Sequence, residues 1–400
     1  MLRDRFCSAV VFVVTMTMLP LSEAAPLVST QWANIAGVDL QGQGGRSYSG
    51  YLGIPYALPP LGRLRFLKAQ PPPSPSNNFF NASRPPAVCT QPSATLKVGQ
   101  GMSEDCLYLN VFVPARNSPG SLPVLVWLHG GVFMYNGANR FTPSKLVADQ
   151  DVIVVVVQFR LGVFGFLSSA SAALPGNLGL WDQNLALKWV KDNIGAFGGD
   201  ADRVTLSGQS SGSISVALHA LSPYSKDLFR RAVMQSGGPT APLAINETPR
   251  PFFLDLSREV GCRSEDSLFS RYSVTHDKDV VDCLRSKSTE ELLQAGVTSL
   301  PTATFEFCWV PVVDGNFIPR DPRDLLGDEE YLLSQGISST PISFVGVVFV
   351  ILCLFVCLLK KECFHAPFVL VFQDRDKQLP LTSMFLCLFC IFYVFIYFQF

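Results

Sequence analysis

Two short runs of β-branched and aromatic residues constrain the fold of this chain most strongly. They occupy residues 123–129 (PVLVWLH) and 152–158 (VIVVVVQ), and turn residues bound each of them. A strand without polar alternation has to be buried on both faces, which is typical of a parallel sheet that helices cover on both sides. Residues 183–193 and 214–221 have apolar side chains at helical spacing, with a third short strand at 204–206 between them. We therefore predict an α/β protein with a mostly parallel sheet and helices on both of its faces.

The first 24 residues have the features of a secretory signal peptide. Arg3 and Arg5 precede an apolar run at residues 9–19, and Ser22-Glu23-Ala24 places small residues where cleavage would occur. Such a segment, residues 1–24, is removed during export and is not part of the fold. We therefore expect a protein of the secretory pathway, either secreted or anchored with its domain outside the cell. That compartment is oxidising, so disulfides form there.

Much of the apolar excess of the chain lies in residues 341–400. The mean hydropathy is +0.27, and the runs 342–359 and 384–400 are uncharged and long enough to be candidate transmembrane segments. Lys360 and Lys361 follow the first run at once, which favours a cytoplasmic side there. The abundant Phe, Leu, Ile, Val, Cys and Tyr residues also have U-rich codons, so a translated non-coding segment would have the same composition. A membrane anchor and an unselected tail therefore both remain open, and we expect residues 25–340 to form the domain.

The balance of charge excludes one large class of partner. The chain has 31 Lys and Arg residues against 32 Asp and Glu residues, which gives a formal net charge of −1. A protein that binds nucleic acid electrostatically would need a basic face. We therefore expect no nucleic-acid partner, and the sequence predicts neither a cofactor nor a metal site.

The motif G-x-S-x-G at residues 208–212 indicates a serine nucleophile. It follows a predicted strand and precedes a predicted helix, so Ser210 would lie on a sharp turn that lifts its hydroxyl above the sheet. The alternative is a serine-rich turn that only caps the helix. A second feature favours catalysis, because residues 129–132 (HGGV) follow a predicted strand and can present successive backbone N–H groups to a negative oxygen. The N–H group of Ser211 would complete such an oxyanion hole.

With these motifs the chain resembles the type-B carboxylesterase/cholinesterase family of α/β-hydrolases. The resemblance runs from Leu52 to Leu326. It rests on motifs that follow the family's order: residues 52–57 with 62–66, 103–111, 160–162 with 165–167, 176–177, 182–183, 197–200, 208–212 and 311–315. It implies the three-layer α/β-hydrolase sandwich and a serine hydrolase that acts on small-molecule carboxylic esters.

The resemblance also implies the roles of individual residues. Ser210 would be the nucleophile, and Gly131, Val132 and Ser211 would supply the N–H groups of the oxyanion hole. Val132 stands where the family usually has a third glycine, so a backbone donor remains while a β-branched side chain narrows the acyl pocket. Gln209 stands where the family usually has Glu, which weakens the support of a cationic imidazole or a cationic substrate.

The same resemblance implies several covalent and ionic pairs. The disulfides would be Cys89–Cys106 and Cys262–Cys283, with Cys308 as the odd cysteine of the domain, and the buried ion pairs would be Arg160–Asp182 and Arg65–Glu104. Two sequons in polar loops, Asn81-Ala82-Ser83 and Asn246-Glu247-Thr248, predict glycans at Asn81 and Asn246 on the surface.

The catalytic partners of the serine are not recognisable in the sequence. The four histidines are His129, His219, His276 and His365, and none lies in the family's motif for the catalytic base. Ile351 stands where the family's catalytic acid would follow. We therefore expect a fold that is incomplete at its C-terminus, in which the part with the base and the acid is replaced, and a form that is inactive as it stands.

Two hypotheses for the function follow. The first is a carboxylic ester hydrolase by descent, which the presence of Ser210 favours. The second is a non-catalytic cholinesterase-like adhesion or binding protein anchored by its tail, which the missing base favours. Among esterases, specificity for choline is disfavoured, because residues 90–105 contain no Trp, Phe or Tyr that could bind a quaternary ammonium group.

Overall fold

The computed structural model describes residues 25–42, 45–92, 101–115, 121–263, 276–298 and 308–337. The predicted signal peptide at residues 1–24 and the apolar tail at residues 341–400, with both candidate transmembrane segments, lie outside the described residues. Within the described ranges, no helix combines the length and the apolar character that crossing a bilayer requires.

Strands dominate the N-terminal half of the described chain and helices the C-terminal half. The strands are β1 (Leu27–Ser29), β2 (Asn34–Ala36), β3 (Val38–Gln41), β4 (Ser47–Pro55), β5 (Phe79–Asn81), β6 (Val88–Cys89), β7 (Met102–Ser103), β8 (Tyr108–Pro114), β9 (Leu122–Leu128), β10 (Ile153–Val157), β11 (Gly199–Gln209) and β12 (Arg231–Gln235). The helices are α1 (Ser144–Asp149), α2 (Gly162–Phe166), α3 (Leu178–Asn193), α4 (Ser211–Leu221), α5 (Pro249–Glu259), α6 (Asp277–Ser286), α7 (Thr289–Thr298), α8 (Pro322–Gly327) and α9 (Glu329–Ser334). Short 3₁₀ helices lie at Gly62–Leu64, Ala138–Arg140 and Ile194–Phe197.

The central sheet of the described chain has the strand order β12-β11-β9-β10-β8-β4-β3. Strands β10 and β11 flank β9 and run parallel to it, and β12 runs parallel to β11. Strands β8, β4 and β3 add antiparallel pairs. The sheet is therefore mixed, and the prediction of a mostly parallel sheet is wrong for its N-terminal half. The hydrophobic runs indicated only the strands buried on both faces, whereas β3 and β4 mix polar residues and glycine with apolar ones.

The elements around the G-x-S-x-G motif are longer than the sequence predicts. The strand expected at 204–206 is the 11-residue β11, which continues to Gln209. Helix α3 begins at Leu178 instead of residue 183, and α4 begins at Ser211 instead of residue 214. As a result, Ser210 is the single residue between the end of the strand and the start of the helix.

Apolar side chains on the two faces of the sheet define a three-layer arrangement. One face packs with helices α3 and α4, through Val124, Val126, Leu128, Leu187 and Val216. The other face packs with α1, through Leu125, Trp127, Leu146 and Val147. A further apolar cluster joins the outer side of α4 to α2 and α5, through Ile214, Leu218, Phe166 and Phe253. The α/β-hydrolase architecture predicted from the motifs is confirmed.

Two disulfides are formed in the described residues. Cys89 in β6 is bonded to Cys106, which is 17 residues further along the chain. Cys262, just after α5, is bonded to Cys283 in α6 across a separation of 21 residues. The odd cysteine, Cys308, is buried.

The predicted ion pairs Arg65–Glu104 and Arg160–Asp182 are both formed and buried. Arg65 donates from Nε and Nη2 to the carboxylate of Glu104 at 2.7 and 2.5 Å. Arg160 makes the same two-bond contact with Asp182 at 2.7 and 2.6 Å. Two parallel bonds give a guanidinium and a carboxylate a fixed orientation. Because Arg160 follows β10 and Asp182 lies in α3, their pair fixes the helix against the end of the strand.

Removal of the first disulfide should destabilise the domain. Cys89→Ala combined with Cys106→Ala frees a loop of 17 residues in the unfolded chain, so the free energy of unfolding should fall by about 3 kcal/mol. Paired alanines at Cys262 and Cys283 should have a similar effect, because that loop is of similar length. Urea denaturation measures both losses, and an unchanged midpoint for the first variant would contradict this prediction.

Loss of the buried Arg160–Asp182 pair should lower the free energy of unfolding far more than loss of an exposed pair. Asp182→Ala leaves the guanidinium of Arg160 buried without its carboxylate, so the free energy of unfolding should fall by about 3–5 kcal/mol. The matched control is Asp202→Ala, since Asp202 pairs with Lys191 at 2.8 Å and its side chain is 88% exposed. This control should lose less than about 1 kcal/mol, and equal losses for the two variants in urea denaturation would refute the distinction.

Candidate active site

The candidate nucleophile lies on the sharp turn that joins β11 to α4. Ser210 has φ 57° and ψ −123°, a conformation that residues with a side chain rarely adopt. Its backbone N–H donates to the carbonyl of Gln235 in β12 at 2.8 Å, and its carbonyl accepts from the N–H of Ile214 at 3.0 Å. The strained residue is therefore held by backbone hydrogen bonds on both of its sides.

A close approach of two backbones makes this turn dependent on glycine. A Cβ atom on Gly212 would lie 2.1 Å from the carbonyl oxygen of Leu128, the last residue of β9. No side chain fits at that distance. The first turn of α4 is therefore pressed against the end of β9, which places Ser210 beside the loop that follows β9.

The hydroxyl of Ser210 is accessible and uncommitted. Ser210 is partly exposed, and its hydroxyl has no hydrogen-bond partner among the residues that the structure describes. The adjacent N–H group of Ser211 is the first of α4, and such a group has no acceptor within its own helix. The positive end of the helix dipole lies at the same place.

The loop after β9 presents two further N–H groups next to Ser210. A Cβ atom on Gly130 would lie 3.0 Å from the Cβ of Ser210, so the two segments are in contact. Gly131 has φ 123°, and a side chain there would overlap the carbonyl of Tyr135 at 2.0 Å. In the described part of the chain, the N–H groups of Gly131 and Val132 have no acceptor. The structure thus brings together the four residues that the sequence analysis selected: Gly131, Val132, Ser210 and Ser211.

The carbonyl of Gly131 is hydrogen-bonded within the loop, on the side opposite to the N–H of Val132. The carbonyl of Gly131 accepts from the N–H groups of Met134 at 2.9 Å and Tyr135 at 3.1 Å. In a trans peptide the carbonyl and the following N–H point in opposite directions. Because the carbonyl of Gly131 turns inward to the loop, the N–H of Val132 points outward.

His129 is a buried, neutral residue of this loop. Its Nδ1 lies 3.0 Å from the carbonyl oxygen of Gly130, which can only accept, so Nδ1 carries the proton. The ring is stacked on Phe159 with a centroid distance of 4.5 Å. Burial lowers the pKa of His129 to about 4. Its contact with Gly130 orients the peptide bond to which the N–H of Gly131 belongs.

His219 is a buried, packed residue of α4. Its Nε2 lies 3.0 Å from Oε1 of Gln183, and its Nδ1 lies 2.7 Å from Oγ of Ser225. Burial lowers the pKa of His219 to about 3. Both ring nitrogens are used in the core, as expected for a structural histidine. His276 is exposed at the start of α6, and His365 lies outside the described residues.

None of these described histidines is hydrogen-bonded to Ser210. Over the same described ranges, no group of three His, Cys, Asp or Glu side chains is placed to hold a metal ion. The described site therefore contains a serine hydroxyl and backbone donors, and no described histidine is hydrogen-bonded to that hydroxyl.

The two predicted glycosylation sites differ in exposure. Asn81 is exposed at the end of β5. Asn246 is half-buried, and its Nδ2 donates to the carbonyl of Cys308 at 3.0 Å while its Oδ1 accepts from the N–H of Thr248 at 2.9 Å.

Two contacts that hold the site have no signature in the sequence. One is the bond from Ser210 N–H to the Gln235 carbonyl, and the other is a 3.2 Å bond from the N–H of Phe133 to Oγ of Ser211. Both connect residues far apart in the chain. No local spacing or motif could have indicated them.

The chain is similar over most of its length to one group of enzymes. The family model described as the carboxylesterase family matches residues 24–345. Acetylcholinesterase of Bungarus fasciatus is 40% identical over 326 residues, which cover 77% of this chain and 51% of that enzyme. Acylcarnitine hydrolase of Mus musculus is 40% identical over 294 residues, with coverages of 70% and 49%. A pyrethroid hydrolase of Mus musculus is 39% identical over 293 residues, also with 70% and 49%. The chain spans about half the length of the curated relatives it matches.

The two buried histidines should make the domain less stable in mild acid. In the folded state their pKa values are about 4 and about 3, below the ordinary 6.5. As the pH falls below 6.5 the unfolded chain binds protons on these rings while the folded chain does not. The free energy of unfolding should therefore fall between pH 6.5 and about 4, by about 1 kcal/mol per pH unit for each ring.

Urea denaturation at several pH values, in the wild type and in His219→Gln, measures this dependence. In the variant, the free energy of unfolding should decrease less steeply as the pH falls, because one of the two buried imidazole rings has been removed. Identical slopes in the two proteins would contradict the assignment of His219 as a buried neutral histidine.

Proposed function

The chain belongs to the carboxylesterase family, and we propose that it is a serine hydrolase of small-molecule carboxylic esters with Ser210 as the nucleophile. One observation carries the proposal. The uncommitted hydroxyl of Ser210 lies on a strained turn, beside N–H groups of Gly131, Val132 and Ser211 that have no acceptor in the described part of the chain. Backbone donors that are left unbonded and held in place are the requirement for an oxyanion hole.

The proposed chemistry is acyl transfer. The hydroxyl oxygen of Ser210 adds to the ester carbonyl while its proton passes to a general base, and the carbonyl oxygen becomes negative in the tetrahedral intermediate. The three N–H groups then stabilise that oxygen. When the intermediate collapses, the ester C–O bond breaks, the alcohol leaves with the proton from the base, and water later releases the acyl group from Ser210 as a carboxylic acid. Val132 keeps the backbone N–H that a glycine would supply at this position.

Turnover also requires a general base and a group that orients it. Among the described residues, His129 and His219 are committed to the core, and His276 lies exposed at another helix. None of these described histidines is hydrogen-bonded to the hydroxyl of Ser210. This supports the prediction that the 400-residue chain, assayed alone, has little Ser210-dependent turnover.

The proposed substrates are uncharged carboxylic esters. Residues 90–105 contain no aromatic side chain for a quaternary ammonium group, and Gln209 beside the nucleophile carries no charge. Both features disfavour choline esters, although acetylcholinesterase is among the similar proteins.

The proposed compartment is the secretory pathway. Two disulfides within the described residues suit an oxidising compartment. A secreted form and a form associated with the membrane through residues 341–400 are both compatible with this placement.

The second candidate function is that of a non-catalytic adhesion or binding protein. The observation that favours it is that no described histidine contacts Ser210. The hydrolase proposal requires that Ser210 and the adjacent N–H groups bind a tetrahedral adduct, whereas the binding-protein hypothesis does not.

Phenylboronic acid tests this difference without requiring a base. The hydroxyl oxygen of serine adds to boron, its proton goes to water, and the boron becomes a tetrahedral anion that occupies the oxyanion hole. We expect the wild type to bind the boronic acid at least about tenfold more tightly than Ser210→Ala, by titration calorimetry. Equal binding by the two proteins would refute the proposed nucleophile and support the binding-protein hypothesis.

Hydrolysis of a short-chain aryl ester completes the test. The 400-residue chain should hydrolyse it no faster than Ser210→Ala, because removal of triad members leaves only residual catalysis. A clear Ser210-dependent rate would show that some residue of the chain serves as the base.

A further inference from the structure

The turn that carries the proposed oxyanion donors is strained at two consecutive positions. Val132 has φ 49° and Phe133 has φ 60°, both in the left-handed region. Residues with a side chain are disfavoured there, and a β-branched residue such as valine most of all. Such a conformation persists only where the surrounding contacts hold it.

Phe133 is the residue by which this turn is held. Its N–H donates to Oγ of Ser211 at 3.2 Å, across 78 residues of sequence. Its carbonyl accepts from the N–H of Gly162 at 2.7 Å. Both Phe133 and Ser211 are 1% exposed, so water does not compete for the bond between them.

The bond to Ser211 acts on the peptide that follows Val132. Fixing the N–H of Phe133 fixes the plane of that peptide and thus the ψ angle of Val132. The preceding peptide is fixed by the bonds from Met134 and Tyr135 to the carbonyl of Gly131. The peptide planes on both sides of Val132 are therefore held by hydrogen bonds. The plane after Val132 depends on the side chain of Ser211.

We propose that the hydroxyl of Ser211 is a positioning group that holds the strained Val132–Phe133 turn and thereby keeps Val132, with its N–H, in place at the oxyanion hole. The inference rests on the proposed function of Ser210 and deepens it. Ser211 then has two separate roles, because its backbone N–H is a donor of the hole and its side chain holds the second donor. The hydrogen bond from the Phe133 N–H to the Ser211 hydroxyl thus opposes the backbone strain at Val132.

The test compares Ser211→Ala with Ser215→Ala. Ser215 lies one turn further along α4, is fully buried, and its Oγ likewise accepts an N–H, from Nε2 of Gln183 at 3.2 Å. Both variants keep every backbone donor and lose one buried acceptor. Ser211→Ala should bind phenylboronic acid about tenfold more weakly than the wild type, the effect of about one hydrogen bond. Ser215→Ala should change the affinity by less than about twofold. Equal affinities for the two variants would overturn the proposal.

A double-mutant cycle with Val132→Gly tests the role of strain. Glycine adopts a positive φ without strain, so the loss caused by Ser211→Ala should be smaller in the Val132→Gly background. A loss of the same size in both backgrounds would overturn the claim that the hydroxyl opposes strain at Val132.

Hydrogen exchange at the Phe133 amide gives a readout that is independent of ligand binding. The amide should exchange about tenfold faster in Ser211→Ala than in Ser215→Ala, because its acceptor is gone. Unchanged exchange would overturn the inference even if the wild type bound no boronic acid. Absence of a Ser210-dependent adduct in the wild type, together with faster exchange in Ser211→Ala, would instead refute only the proposed function.

Discussion

The site depends on the close contact between the carbonyl of Leu128 and the backbone of Gly212. At 2.1 Å from the position of a Cβ, the contact admits no side chain. It sets the first turn of α4 directly against the end of β9. Because β9 and β11 are parallel neighbours, the loop after one strand and the turn after the other emerge at the same edge of the sheet. The proposed nucleophile and the proposed oxyanion donors meet there as a result of backbone packing.

Contacts of buried side chains then hold the neighbouring helix and the loop after β9 in position. The Arg160–Asp182 pair fixes α3 against the end of β10, and His129 anchors the carbonyl of Gly130 at the start of the donor loop. The neutral state of His129 suits this role, because a charged ring would need solvation that the core does not provide. Contacts in the core therefore hold both His129 and His219, and these contacts maintain the geometry of the loop and of α4.

The sequence predicted those parts of the structure that have local signatures. The two parallel strands at the centre of the sheet were recognisable because valine-rich runs need burial on both faces, and Ser210 was recognisable from the spacing of its flanking glycines. Strands β3 and β4 were missed because their alternation is broken by glycine and polar residues. The bond between Phe133 and Ser211 could not be predicted, since it depends on how β9 and β11 are paired. Long-range strand pairing depends on the packing of the whole sheet, so a short sequence motif does not indicate it.

The strand order of the sheet also determines when its centre can be completed during synthesis. Strand β9 pairs with β10 soon after it emerges, but its other edge is covered only by β11, whose Gly199 pairs with Leu122. Until that part of the chain has been made, the apolar edge of β9 remains open to any other strand. Non-local parallel pairing is slow, and unpaired edges of this kind favour association between chains. The antiparallel strands β3, β4 and β8 all lie before residue 115, so they can pair before β11 has been made. The interval between these two events is the stage at which a nascent chain of this topology most needs a chaperone.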